Sequence, residues 1–201
     1  MKKLLFSLLI IAVSVAAYAQ GQHLTFKNIP IDGSLTKCVN ALKNAGYELK
    51  YQDPDGVGAI MEGSFTNQKA TVAIITTPQS KTVWKIAVLF EDQNSWYSLK
   101  GDYLILKANL TTKYGQPEES FEFFSSPYEE GDGYEMTAIY AEKCHYTSFF
   151  AVKSSSDAFL GEITIEISKN ETKGRVILSY EDAANTELMK KEKESVVYDD
   201  L

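Results

Sequence analysis

The sequence predicts an α+β protein in which helices pack on antiparallel sheet, arranged as tandem units of one helix and four strands. Residues 94–117 carry the pattern of one long helix. Short segments rich in β-branched and aromatic residues precede and follow it, separated by tight turns that favour antiparallel pairing. An aromatic-Glu-Asp turn also leads from a strand to a helix twice, at residues 90–92 and 180–182. This repeat indicates either a duplicated unit or a chance match.

The first residues have the layout of a cleavable secretory signal. Two lysines precede the apolar run 4–15, and Ala-Tyr-Ala at 17–19 offers a small-residue cleavage site. The run is too short to span a bilayer comfortably, and no cysteine follows for a bacterial lipid anchor. We expect residues 1–19 to be removed and the mature chain to be periplasmic or secreted. A retained anchor helix is the alternative.

The charge balance disfavours a nucleic-acid partner. The whole chain has 20 basic and 27 acidic side chains and a net charge of −7. Loss of Lys2 and Lys3 with the leader makes the mature protein more negative still, and a phosphate backbone repels such a protein. Its aromatic content and short β-rich segments also disfavour a disordered chain.

The first unit, residues 20–93, is predicted to be one helix followed by a four-strand meander. The alternating segment 23–31 predicts a short strand or an extended lead-in. Residues 35–45 carry apolar side chains at helical spacing and end at Gly46, so we expect a helix of about three turns. Strands are predicted over residues 47–51, 59–65, 71–77 and 83–90.

The long helix is expected to organise the fold. Six large side chains recur every three or four residues and so share one face: Trp96, Leu99, Tyr103, Leu106, Leu110 and Tyr114. Asn94 or Ser95 can cap the first turn, and Gly115 followed by Pro117 ends the helix. Burial of this face contributes on the order of 10 kcal/mol before entropy is subtracted, so the helix must lie on a sheet.

The second unit, residues 94–201, continues with strands and closes with a charged helix. Residues 162–168 alternate cleanly between apolar and polar, so one face of that strand is expected to be buried. The final helix is expected to run from Asn185 to about Tyr198. Strands are predicted over residues 120–124, 134–141, 144–153, 162–168 and 175–180.

Three segments carry a family resemblance: LTFKNIPIDG at residues 24–33, WKIAVLF at 84–90 and LTTKYGQP at 110–117. They resemble uncharacterised small secreted proteins of Gram-negative anaerobic gut bacteria. At fold level, tandem helix-plus-four-strand units resemble the β-lactamase inhibitory protein, the PepSY-like periplasmic proteins and the small lipoprotein of outer-membrane assembly. This chain lacks the inhibitor's disulfide in each half. The resemblance implies a binding or assembly module rather than an enzyme.

Cys38 and Cys144 are the only cysteines. In an oxidising compartment, a disulfide between them would close a long loop, a constraint worth up to about 4.7 kcal/mol in the chain-entropy model. Cys38 also lies on the apolar stripe of the first helix, which equally suits a small buried side chain. The sequence leaves both readings open because geometry decides.

The sequence predicts no catalytic residue, no metal ligand and no cofactor. His145 has neighbours, Cys144 and Tyr146, that point to the opposite face of a strand, so adjacent residues form no Cys-His pair. The segment 53–56 resembles the start of a calcium loop but lacks the later ligands, so a plain β-turn is expected. An enzyme would need a polar cleft that brings His145 or paired carboxylates together.

The most unusual loop is PYEEGDGY at residues 127–134. Tyrosines supply rigid contact area and carboxylates can meet a basic partner, so it is a candidate recognition loop or weak calcium site. The alternative is a solvated hairpin tip whose charges block edge pairing. The candidate partner-binding residues are Tyr128, Glu129, Glu130, Asp132 and Tyr134.

The second half is also rich in aromatic residues, which could line a cleft, stack on sugars or form core. The pairs at 123–124 and 149–150 cannot both face inward on a strand, so one member of each is expected to be exposed. We expect a non-catalytic binding module for an envelope or secreted protein. The alternative is a small-ligand or carbohydrate carrier with an aromatic-lined pocket.

Overall fold

The computed structural model describes residues 22–199. The predicted leader, residues 1–19, lies outside the described residues. None of the helices between residues 22 and 199 combines the length and the apolar character that crossing a bilayer requires.

Between residues 22 and 199, ten strands form two antiparallel sheets. The small sheet pairs β1 (Thr25–Phe26) with β2 (Ile29–Pro30). The large one contains β3 (Glu48–Gln52), β4 (Gly58–Phe65), β5 (Gln68–Thr76), β6 (Val83–Phe90), β7 (Glu119–Phe124), β8 (Cys144–Lys153), β9 (Phe159–Asn170) and β10 (Lys173–Asp182). Its strand order is β3-β4-β5-β6-β10-β9-β8-β7, so β3 and β7 are the edge strands.

In the part of the chain that the structure describes, four helices accompany the sheets: α1 (Leu35–Asn44), α2 (Trp96–Tyr114), α3 (Glu135–Tyr140) and α4 (Ala183–Asp199). α1 precedes the strands β3 to β6, and α2 precedes the strands β7 to β10. The two sets of four strands meet where β6 pairs with β10. The predicted fold class, with tandem helix-plus-four-strand units and helices packed on antiparallel sheet, is confirmed. The boundary at residue 93 and the duplication stay predictions.

The predicted strand at residues 134–141 is wrong, because this segment contains α3. A run this short fits both the strand period and the helix period. Ala138 and Ile139 are both buried although they are adjacent, whereas Tyr140 is exposed. Glu135 lies in the first turn, where a carboxylate is favourable, and its Oε1 accepts a hydrogen bond from the backbone nitrogen of Gly131 at 2.8 Å.

The predicted long helix is confirmed as α2. Four members of its predicted stripe are buried and the outer two, Trp96 and Tyr114, are partly buried against the core. Gly115 follows with a φ of 92°, a conformation that favours glycine and ends the helix. Ser95 occupies the N-cap position, but its side chain makes no capping hydrogen bond. Burial of the apolar stripe, rather than a side-chain cap at the N-terminus, therefore stabilises this helix.

The large sheet buries one face against α1 and α2. Leu178 of β10 stands opposite Val88 of β6 and Ile165 of β9, and all three are buried. The preceding residue, Ile177, pairs with Leu89 on the opposite face, where both are half-buried. α1 contacts β3 to β5 and α2 contacts β8 to β10. A single core therefore lies between the helices and the first face.

α2 lies unusually close to β10 at Gly174. A Cβ atom at this position would lie 2.4 Å from Cδ1 of Leu99, which is fully buried in α2. Such a distance is far inside van der Waals contact. The absence of a side chain at Gly174 thus sets how closely the helix approaches the sheet.

A buried cluster fastens the N-terminal segment to the start of α4. Asp182 accepts hydrogen bonds from the backbone nitrogens of Leu24 at 2.8 Å and Asn185 at 3.0 Å. Asn185 in turn donates from its side chain to the carbonyl oxygen of Ile31 at 2.9 Å. His23 Nδ1 lies 3.1 Å from the Asp182 carboxylate, so His23 belongs to this structural cluster.

Candidate functional site

A groove of about 890 Å³ runs between the N-terminal half of α2 and the loop that precedes α3. We call it the α2 groove. The loop, residues 125–134, contains the segment 127–134 that the sequence singled out, although it joins a strand to a helix and so is not a hairpin tip. The residues that line the groove are Gln93, Trp96, Tyr97, Ser98, Lys100, Gly101, Asp102, Leu104, Ile105, Glu130, Gly131 and Glu135.

The floor of the groove is a second apolar face of α2. Tyr97 is 88% exposed, Leu104 42% and Ile105 59%. These positions, with Gly101 between them, lie one and two helical turns apart and so share a face. A Cβ atom added at Gly101 would meet no atom within 4 Å, so the groove has open space there. α2 therefore buries one apolar face on the sheet and exposes another.

The loop is fastened to α2 through Glu130. This carboxylate forms an ion pair with Lys100 and accepts a hydrogen bond from the Tyr146 hydroxyl at 2.9 Å. The Lys100 hydrogen bond, followed by that of Tyr146, holds the pKa of Glu130 below its usual range. Tyr146 is buried and packs edge-on against Trp96, with ring centroids 4.9 Å apart. The wall of the groove is thus tied to the core.

The loop is also ordered by its own hydrogen bonds. Asp132 accepts from the backbone nitrogens of Glu129 at 2.9 Å and Tyr134 at 2.7 Å, one on each carboxylate oxygen. Asp132 and Glu130 therefore act first as hydrogen-bond acceptors that hold the loop in shape.

The five predicted residues divide by role. Glu130 and Asp132 hold the loop in shape, whereas Glu129 and Tyr134 are exposed and Tyr128 is half-buried. Tyr134, at 62%, is the most exposed aromatic side chain of the loop. The residues available for contact are therefore Glu129 and Tyr134 from the loop, together with Tyr97, Leu104 and Ile105, which the sequence analysis did not select.

Asp102 is the carboxylate of the groove that lacks a strong partner. Its Oδ2 accepts one long hydrogen bond, from the side-chain amide of Gln93 at 3.4 Å. Burial raises the pKa of Asp102 above its usual value, and no basic group offsets this effect. Lys100, the lysine that lines the groove, is already paired with Glu130. The groove therefore contains a partly desolvated acid without a cation.

The predicted alternative of a Cys38–Cys144 disulfide is not what the structure shows, since both cysteines are free. Cys38 lies in α1 against β3 to β5, whereas Cys144 begins β8. β5 and β8 are separated by β6, β10 and β9, so about 19 Å of sheet divides them at roughly 4.8 Å per strand. Burial raises the pKa of Cys38 to about 11 and that of Cys144 to about 12, so both are unreactive thiols.

His145 has a partner that the sequence did not reveal. Its Nε2 lies 2.7 Å from Oγ of Ser125, and its ring stacks on the exposed ring of Phe123 at 4.8 Å. Tyr146 points to the buried face, as strand geometry predicted. Ser125 follows a different strand, twenty residues away, and no spacing rule joins the two. The partners of His145 in the described chain include no carboxylate within 4.0 Å.

Two further predictions concern aromatic pairs and metal sites. Phe123 is exposed while Phe124 packs on Trp96, as expected. In the second pair Phe150 is buried but Phe149 is half-buried rather than exposed. The segment 53–56 is a turn in which Asp53 accepts from two backbone nitrogens. Between residues 22 and 199, no three His, Cys, Asp or Glu side chains are grouped so as to hold a metal ion.

Comparison with known proteins found no relative of this chain. No protein-family model, no curated protein and no solved structure matches the chain. The resemblance to small secreted proteins stays a prediction, and function has to be argued from the geometry of the site.

Proposed function

We propose that this protein is a non-catalytic periplasmic or secreted binding module that recognises a partner protein of the envelope or the extracellular space through the α2 groove. The observation that carries the proposal is the second apolar face of α2, exposed beside a loop that is already ordered. Exposed apolar patches bordered by polar residues mark interaction surfaces in soluble proteins.

A protein partner fits this groove better than a small ligand does. Small-molecule sites bury most of the ligand surface and are enclosed by their lining side chains. Here Tyr97 and Ile105 are more than half exposed, and they lie on the outer face of a helix. Aromatic side chains in this position act as anchors at protein interfaces.

Binding also fits the chemistry of the chain better than catalysis. The Ser125–His145 pair is the nearest arrangement to a nucleophile and its base. Nucleophilic hydroxyl groups need a base that a third group orients, and no carboxylate of the described chain lies within 4.0 Å of the His145 ring. In contrast, the groove offers an exposed apolar contact area.

The test is crosslinked affinity capture of the mature protein from envelope and secreted fractions of its own host, read by mass spectrometry. We expect one stoichiometric partner, lost with Tyr97→Ala and with Ile105→Ser. Matched controls are Tyr51→Ala and Val57→Ser, which remove similarly exposed side chains outside the groove. A partner captured equally by the groove variants and the controls would place the binding surface elsewhere, and no partner at all would contradict the proposal.

A further inference from the structure

The charge of the α2 groove indicates what its partner presents. Three carboxylates line the groove, from Asp102, Glu130 and Glu135, against one lysine, Lys100. Glu130 is paired with Lys100, and Glu135 accepts a hydrogen bond from the nitrogen of Gly131. These two carboxylates are satisfied within the protein. Asp102 keeps only its long contact with Gln93, so it is the group that a partner could complete.

The position of Asp102 links this charge to the apolar floor. It lies on α2 five residues after Tyr97 and three before Ile105, and all three side chains line the same groove. At about 100° per residue, Asp102 lies about 60° around the helix from Ile105 and about 140° from Tyr97. A partner that covers Ile105 and enters the groove therefore comes close to this carboxylate. Such a partner binds best if it supplies a cation there, because a carboxylate that loses its water without a partner either opposes binding or has to take up a proton.

Resting on the proposed function, we propose that the α2 groove binds a segment of the partner protein in which apolar side chains flank a lysine or arginine, with the basic group paired to Asp102. The apolar side chains of the segment lie on Tyr97, Leu104 and Ile105. A lysine ammonium or one N–H group of an arginine can donate to the free Oδ1 of Asp102. Electrostatic complementarity of this kind selects partners and fixes their register.

The test uses three helical peptides of equal length that share one leucine stripe and carry lysine, glutamine or glutamate at the remaining positions. Binding to the mature protein is measured by fluorescence anisotropy at about 0.15 M salt, where exposed charges are largely screened. We expect the lysine peptide to bind about tenfold more tightly than the glutamine peptide, and the glutamate peptide to bind most weakly. Asp102→Asn should reduce the preference for lysine over glutamine about tenfold, which corresponds to about 1.4 kcal/mol.

Asp55→Asn is the matched control, because Asp55 is an exposed acid in the turn between β3 and β4. It should leave the lysine preference unchanged. Asp102→Asn should fold normally, since burial disfavours the charged form that the substitution removes. A Tm equal to or above that of the wild type confirms this, and it separates loss of binding from loss of structure.

Three outcomes would overturn the inference: equal binding of the lysine and glutamine peptides, binding of none of them, or an equal loss of lysine preference in Asp102→Asn and Asp55→Asn. The last result would show that the lysine preference comes from the overall negative charge of the protein and not from Asp102. The proposed function is judged separately by the capture experiment. If Tyr97→Ala abolishes partner capture while Asp102→Asn does not, the groove binds a partner and only the cationic segment is wrong.

Discussion

Two glycines, one beneath α2 and one on its outer side, should change stability in opposite directions when each is replaced by alanine. Gly174 of β10 lies under the helix, where a Cβ atom would be 2.4 Å from Cδ1 and 3.2 Å from Cδ2 of Leu99. Leu99 is fully buried, so the clash has to be relieved within the packed core, by a changed Leu99 side-chain conformation or by movement of the helix or the strand. Overpacking of this kind costs about 1–3 kcal/mol. Gly174→Ala should therefore lower Tm by roughly 2–12 °C, at about 2–4 °C per kcal/mol for a chain of this size.

Gly101 is the matched position on the outer side of the same helix. A Cβ atom there meets nothing within 4 Å, and alanine is favoured over glycine inside a helix by about 0.5–1 kcal/mol. Gly101→Ala should raise Tm by roughly 1–4 °C. Thermal and urea denaturation of both variants, with the free energy of unfolding compared at one temperature, measures the difference.

A double-mutant cycle identifies the cause. Leu99→Val makes room beside Gly174, so the double variant Leu99→Val, Gly174→Ala should be more stable than the sum of the two single effects predicts. Additive effects would show that the Leu99 side chain is not what clashes with the new methyl group at position 174. A neutral Gly174→Ala would refute the close approach of α2 and β10 altogether.

Two further predictions concern side-chain networks near the groove. Tyr103→Phe removes a hydroxyl that lies 2.6 Å from Oγ of the buried Ser148. It should lower the free energy of unfolding, measured by urea denaturation, by about 1 kcal/mol. The control Tyr97→Phe, on the surface, should leave it unchanged. Lys100 holds the pKa of Glu130 low, so this pair stabilises the fold fully above the unfolded pKa of about 4.3 and loses its effect as pH falls through the lowered folded value. Lys100→Met should therefore flatten the decline of stability below about pH 4.3, and an unchanged acid profile would contradict the pairing.

The sequence could predict what depends on local periodicity over many residues. The stripe of α2 spans nineteen residues, and the alternation of β9 extends over most of its twelve, so the element type and the buried face were both readable. Residues 134–141 failed this criterion. Met136, Ala138 and Tyr140 alternate as in a strand, but only contacts with β8, β9 and β10 select the helix that buries Ala138 with Ile139.

The site was harder to predict, because its parts come from different segments of the chain. Leu104 and Ile105 are neighbours in sequence of the buried Tyr103 and Leu106. The helical spacing of α2 predicts one buried apolar face, and it gives no reason to expect a second, exposed apolar face on the same helix. Ser125 meets His145 only through the pairing of β7 with β8. Lys100 meets Glu130 across thirty residues. Such pairs are set by tertiary packing rather than by spacing.

The two aromatic-Glu-Asp turns, at residues 90–92 and 180–182, show that a similar sequence does not give the aspartate the same structural role. Both close a central strand and lead into a helix, since β6 is followed by α2 and β10 by α4. Asp182 caps the start of α4 and holds the N-terminal segment. Asp92, at the corresponding place after β6, instead accepts from Arg175 Nε at 2.8 Å and from the side chain of Asn170 at 2.8 Å. The shared topology is preserved while the contacts of each carboxylate differ.

The same helix that organises the core also presents the groove, and this joins stability to recognition. Leu99 and Tyr103 fix α2 on the sheet, while Tyr97 and Asp102, on the same turns, face outward. The opposite wall is ordered by Glu130 before any partner arrives. A surface that is already ordered loses little conformational entropy on binding, so most of the contact energy is available for affinity. Displacing α2 through Gly174→Ala should therefore weaken partner capture as well as lower Tm, although Gly174 lies beneath the helix and does not line the groove.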